Sequence, residues 1–140
     1  MPIETLTMNT KGQGLYEFTA DVDRFVRAHP LAEGLLTVFV RHTSCSLLIQ
    51  ENADPDVQRD LNAFFARLVP PSDDASMDYI VHTSEGPDDM PAHIKAAMMP
   101  TSLSIPTKDG DLLLGRWQGL YLFEHRTQPH SRQIVLHLTA

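Results

Sequence analysis

The sequence predicts an α+β protein built on a mainly antiparallel sheet with a few helices. Three observations predict it. Short apolar runs of strand length outnumber helical ones, and turn signals join most of them as hairpins. No compositional break divides the 140 residues, so a single domain is expected.

The elements follow in order. Alternation in E-T-L-T-M and L-Y-E-F-T predicts strands over 3–8 and 15–19. Asp21 is the expected N-cap of a helix through Phe25 and Val26 that ends before Pro30. The β-branched, apolar run 34–42 reads as a central strand, and C-S-L-L-I-Q-E after it as a neighbour. The clearest helix starts with Asp54 as cap and Pro55 in the first turn, where Asp56 complements the positive end of the dipole. Val57, Leu61, Phe64, Phe65 and Leu68 make its apolar stripe, and Pro70-Pro71 stops it. Residues 79–81 predict a short strand delivering His82, and 91–98 a short helix. Strands over 102–107, 112–117, 120–124 and 133–138 complete the chain, with a K-D-G-D turn at Gly110.

Composition narrows the function. The net charge of −7 argues against a nucleic-acid binder, which needs a basic face. No apolar run reaches the roughly 18 residues of a membrane helix, and the N-terminus lacks signal-peptide regions. With a single cysteine, Cys45, a cytoplasmic protein is expected. Cys45 begins an apolar strand and reads as a small hydrophobe. Ten acids against Arg59 and Arg67 in residues 51–89 concentrate the negative charge there, on a solvated face or around a cation. No P-loop, G-x-G-x-x-G or G-x-S-x-G is present, so neither a nucleotide cofactor nor a serine nucleophile is expected.

The chemistry-bearing stretch is H-T-S-E-G-P-D-D-M-P-A-H-I-K from His82, with a second H-T-S at His42. His42 and His82 each end a predicted strand, and a chain reversal brings His93 back towards His82. Imidazole with carboxylate suits zinc or a similar divalent metal. The bland alternative is two strand-end histidines satisfied by neighbouring acids. Either Asp88 or Asp89 is expected to cap the helix, leaving the other free as ligand or base. Glu51 and Asn52 follow a strand in the same way and either line the same cleft or make a polar turn. Gly115 and Gly119 flank Trp117-Gln118, which is either a ligand platform or core. Arg126 and Arg132 make the C-terminal third the natural place for a phosphate.

Three motifs together, H-T-S-C-S-L-L-I-Q-E-N-A-D-P-D-V, H-T-S-E-G-P-D-D-M-P-A-H-I-K and L-G-R-W-Q-G-L-Y-L-F-E-H-R, resemble the YjbQ-like family over essentially the whole chain. That family is also labelled secondary thiamine-phosphate synthase enzymes. The resemblance implies a YjbQ-like α+β fold and a homotrimer, with the shared polar residues near subunit contacts. By position, His42, Ser44, Glu51, Asn52 and Asp54 match the first motif. His82, Glu85, Gly86, Asp88, His93 and Lys95 match the second, and Trp117, Gln118 and Gly119 the third. Arg116, Pro100 and Cys45 depart from the usual Thr, Gly and Ala.

Together these imply an enzyme acting on a small phosphorylated molecule, with thiamine-phosphate synthase activity. His42, His82 and His93 are the expected metal ligands, and Asp88 or Glu51 the catalytic carboxylate. Ser44, Asn52, Lys95, Trp117, Gln118, Arg126 and Arg132 are the expected substrate contacts. The alternative is a non-enzymatic, trimeric metal- or metabolite-binding protein.

Overall fold

The computed structural model describes residues 1–140 and contains eight strands and three α-helices. A five-stranded sheet has the order β1 (Ile3–Asn9), β8 (Ser131–Thr139), β3 (Glu33–Val40), β5 (Ser102–Lys108), β6 (Asp111–Leu112). A three-stranded sheet places β7 (Gln118–Glu124) between β2 (Gly14–Glu17) and β4 (Cys45–Glu51). Every pairing is antiparallel, so the predicted fold class holds.

Alternation decides which face is core. Leu36, Val38 and Val40 pair with Leu138, Leu136 and Ile134, and all six are buried. Onto this face pack Val22, Phe25 and Val26 of α1 (Thr19–Ala28), with Leu47, Leu120 and Leu122 of the smaller sheet. Each such side chain contributes roughly 1.5–3 kcal/mol by leaving water. Strand β7 is buried on both faces, which explains its unbroken apolar run. Its far face carries Phe123, met edge-on at 5.8 Å by Phe65 of α2 (Pro55–Leu68). Cys45 is fully buried, and burial pushes its thiol up to about 12, consistent with a packing role.

Local chemistry sets several boundaries. Asp54 caps α2 by accepting the Asp56 N–H at 2.9 Å, and Pro55 occupies the first turn. Asp109 and Gly110 both take positive φ, 52° and 83°, the pair that a tight hairpin of this twist needs.

Three expectations are corrected, and the α2 stripe proves only partly covered. α1 begins at Thr19, because Thr19 Oγ1 donates to Glu17 and accepts the Leu120 N–H, so Asp21 lies inside the first turn. Residues 79–81 form no strand. The chain turns after a 3-10 helix at Ala75–Met77, Ile80 N–H bonds back to Met77 O, and Val81 is 93% exposed. The strand expected over 112–117 ends at Leu112, since Gln118 N–H bonds to Gly115 O and its side-chain Oε1 accepts the Gly115 N–H at 2.7 Å. The α2 stripe is only partly covered: no residue of α2 is buried, and Phe64 and Leu68 stay exposed.

Beneath the sheets lies a buried ion pair. Glu124 accepts from Arg132 and, at 2.6 Å, from Thr10 Oγ1. Arg132 also donates to Ser44 Oγ at 2.9 Å. Burial pushes the Glu124 carboxyl up, but the Arg132 and Thr10 hydrogen bonds outweigh it and hold the group below its ordinary 4.5. A depressed carboxyl stabilises the fold above its unfolded value and stops doing so as pH falls through the folded one.

Replacing Arg132 by Met strands this charge and is expected to cost about 3–5 kcal/mol at neutral pH, read by denaturant unfolding. Below the ordinary value of 4.5 the gap between variant and wild type should narrow. A constant gap down to strong acid would contradict the assignment.

Candidate metal centre and its cavity

The loop before α3 (Asp89–Met98) and the first turns of that helix build the site. Asp89 and His93 are four residues apart on the helix, so their side chains share one face. His93 Nε2 lies 3.2 Å from Asp89 Oδ2, and His82 Nε2 lies 2.8 Å from the same oxygen. Glu85 Oε2 is 3.5 Å from His82 Nε2. One ligand atom from each of His82, Glu85, Asp89 and His93 falls within 4.8 Å of the other three. Two imidazoles and two carboxylates form a donor set that fits zinc or a similar divalent transition metal.

The surroundings support that fit. His93 Nδ1 sits 2.9 Å from Thr43 O and donates its N–H there. The opposite nitrogen, Nε2, therefore faces a carboxylate oxygen that only accepts, a contact relieved by a proton or by a cation between them. Asp89 is 2% exposed, and its other oxygen accepts from Arg126 Nη1 at 2.8 Å. Burial raises the Asp89 carboxyl, but hydrogen bonds from the His82 side, the His93 charge and Arg126 overcome it, so it stays below its ordinary value. The outer side is open: the side chains of His82 and Glu85 are 45% and 62% exposed.

Next to this group lies a cavity of about 360 Å³, whose lining includes Glu85, Asp88, Lys95, Arg126, Thr127 and Gln128. Glu85 belongs to both. Arg126 links them, because Nε donates to Asp88 at 2.8 Å while Nη1 holds Asp89. Asp88 also accepts the Thr127 N–H at 2.9 Å. Burial raises Asp88, yet these contacts keep it below its ordinary range. The Asp88 hydrogen bond in turn raises Arg126, leaving it firmly charged.

The other expected residues fall elsewhere. His42 is not one of the four: its Nε2 accepts the Gln133 N–H at 2.8 Å, which commits the lone pair a metal would need. Burial, then the Arg132 charge, lowers its pKa. It lines a smaller hollow of about 280 Å³ with Thr43, His93 and Thr101. Asp88, the expected catalytic carboxylate, is held by Arg126, and Asp89 takes the place beside the histidines. Neither aspartate caps α3 through its side chain: the N-cap Asp88 makes no capping bond, and Asp89 lies within the helix. Ser44 and Arg132 are spent on the buried Glu124 network rather than on a cleft.

Glu51, Asn52, Trp117 and Gln118 gather at the opposite end of β4 from Thr43, seven strand residues away. There the Glu51 carboxylate accepts the Ala53 and Asp54 N–H groups and shapes a turn. Trp117 is exposed, with the Arg116 guanidinium 5.9 Å from its ring centre. A Cβ on Gly119 would meet Glu17 at 2.8 Å, the close approach expected of a strand glycine. The residues alone left Asp88 and Asp89 as equal candidates, and the resemblance singled out Asp88, with the helix expected to begin at Pro91. A helix starting at Asp89 would have exposed the D-x-x-x-H pairing.

Fold and site together define a single-domain α+β protein whose antiparallel sheets support a surface His/Asp/Glu group able to take a divalent metal. The family model described as "UPF0047 protein YjbQ-like" matches residues 4–140, and the chain belongs to that family. It is 48% identical over 136 residues to a UPF0047 protein of Synechocystis sp., covering 97% of this chain and 90% of that one. It is 41% identical over 133 residues to the UPF0047 protein YjbQ of Escherichia coli O157:H7, covering 94% and 93%. A crystal structure of a YjbQ/UPF0047 family protein from Clostridium acetobutylicum superposes with a TM-score of 0.84 at 31% identity, over 97% and 99% of the two chains. A conserved hypothetical protein from Thermus thermophilus gives 0.82 at 32% identity, over 97% and 99%.

Zinc titration checks the centre. His82→Ala/His93→Ala should abolish tight zinc binding, with the fold intact because both rings are partly open to solvent. Arg126→Ala, which removes the donor that fixes Asp89 without removing a ligand, should weaken it by roughly 10–100-fold. Equal affinity in all three proteins would rule the centre out.

Proposed function

We propose that this protein is a metal-dependent enzyme acting on a small phosphorylated substrate, with thiamine-phosphate synthase chemistry. The observation that carries the reading is the four-residue group opening beside a cavity that holds two cations, Lys95 and Arg126. A structural metal site is closed by protein ligands, whereas a catalytic one keeps a position for substrate. The exposed side of His82 and Glu85 supports the catalytic alternative over a purely storage or sensory one.

In the reaction, a thiazole phosphate nitrogen attacks the methylene carbon of a pyrimidine methyl diphosphate. A C–N bond forms, the C–O bond breaks, and pyrophosphate leaves with the electron pair. The ring nitrogen uses its own lone pair, so this step needs no general base, and Asp88 positions Arg126 instead. The demand is for positive charge at the departing oxygens. A bound divalent metal would supply part of it as a Lewis acid. Lys95 and Arg126 supply the rest from the cavity side, while Asp89 and Glu85 would hold the cation.

A homotrimer is part of the same proposal. The outer face of the five-stranded sheet leaves Ile3, Leu35 and Phe39 exposed on the same side, apolar positions suited to a subunit contact. Sedimentation equilibrium should return three chains per particle, and Phe39→Glu should shift it towards monomer. A monomeric wild type would end the trimer reading.

Purified, zinc-replete protein should form thiamine phosphate from the two substrates, and His82→Ala/His93→Ala should not. Equal rates in the two, or none in either, would reject the synthase assignment.

A further inference from the structure

Lys95 is the one buried cation that makes no ion pair or hydrogen bond within the chain. Arg132 is paired with Glu124 and Ser44, and Arg126 with Asp88, Asp89 and the Glu85 carbonyl. Lys95 is only 3% exposed, yet it enters no ion pair and no hydrogen bond within the chain. It lines the cavity of about 360 Å³ beside the metal centre. The one opposite charge acting on it, Asp88, does so only through space and is itself held by Arg126, so an anion entering the cavity would give the ammonium a direct partner.

We propose that this cavity is the seat of a phosphate-ester oxyanion and that Lys95 is the charge that receives it. The site deepens the function proposed above, since it gives the phosphorylated substrate a defined place, but binding there does not depend on the reaction chosen. Its walls fit the role. Gln128 and Thr127 line the same space, and Arg126, whose charge is met by Asp88 and Asp89, keeps those two acids from opposing an anion there. Two acids also face it. Asp88 is neutralised by Arg126 and the Thr127 N–H. Glu85 is exposed and lies in the metal group, where a bound cation would offset its charge. Phosphate binding should therefore be tighter in zinc-loaded than in metal-free protein. The volume admits a phosphate monoester with a small ring rather than a polymer, so the class of ligand is a small organic phosphate.

The probe is phenyl phosphate, titrated by calorimetry into the full-length protein with and without zinc. Wild type should bind it, and Lys95→Met should weaken binding by about tenfold to a hundredfold, the worth of one charge-assisted hydrogen bond. Removing an unpaired buried charge should leave the melting temperature unchanged or higher, which separates lost binding from lost folding. Lys95→Gln serves as the second variant and should show the same loss. Phenyl phosphate binding equal in wild type and both variants, or absent from wild type, overturns the proposal. Zinc affinity, measured on the same samples, separates the two readings. Intact zinc binding with no Lys95-dependent phosphate binding removes only the cavity. Lys95-dependent phosphate binding in protein that takes no zinc leaves the cavity standing and removes the metal centre.

Discussion

Glu124 is a carboxylate with no exposure to water, and the architecture is organised around satisfying it. The network around it joins four separate segments. Arg132 belongs to β8, Thr10 follows β1, Ser44 precedes β4, and Glu124 itself ends β7. The pair therefore stitches the larger sheet to the smaller one at a single end, where Glu124 faces both Gly14 and Cys45 in register. A buried ion pair is weak evidence for net stability against an apolar replacement. Its consequence here is positional, because a charge that must be met in one geometry leaves the ends of four segments little freedom.

The next two residues extend that control to the site. His125 is buried beside Ser46, and Arg126 emerges to hold Asp88 and Asp89. An acidic chain thus places one guanidinium behind two adjacent carboxylates and leaves only one oxygen of Asp89 for the histidines. That division explains why neighbouring aspartates differ. Asp88 is satisfied by fixed donors, while Asp89 keeps one oxygen between two imidazole nitrogens. Lys95, by contrast, makes no ion pair or hydrogen bond within the chain.

Elements whose signal is local were legible. The alternation of β3 and β8, the Asp54-Pro55 helix start and the Asp-Gly turn each depend on a few consecutive residues and on backbone sterics. Three apolar residues at 79–81 carried no such weight, since a strand needs a partner and none is supplied. The α2 stripe was read correctly as a stripe, but its burial depends on what packs there, and this chain covers it only at the Phe65 side. Pro100 directly follows the C-cap Met99 of α3, where a proline cannot continue the helix, and its carbonyl accepts the Leu47 N–H at 2.8 Å.

By itself the sequence determined the fold class, the family resemblance, and the pairing of His82 with His93 across a short acidic loop. The fold class follows from spacing, turn chemistry and helical periodicity, and the resemblance rests on three motifs in order. Only the tertiary structure decided that Asp89 rather than Asp88 faces the histidines, and that His42 is committed to Gln133. It also decided that Arg132 is internal and that Lys95 is buried without an ion pair or hydrogen bond. The physical reason is common to all four. A side chain's type sets what it can bind, but desolvation and the nearest opposite charge set what it does bind. Those neighbours lie up to about ninety residues away along the chain.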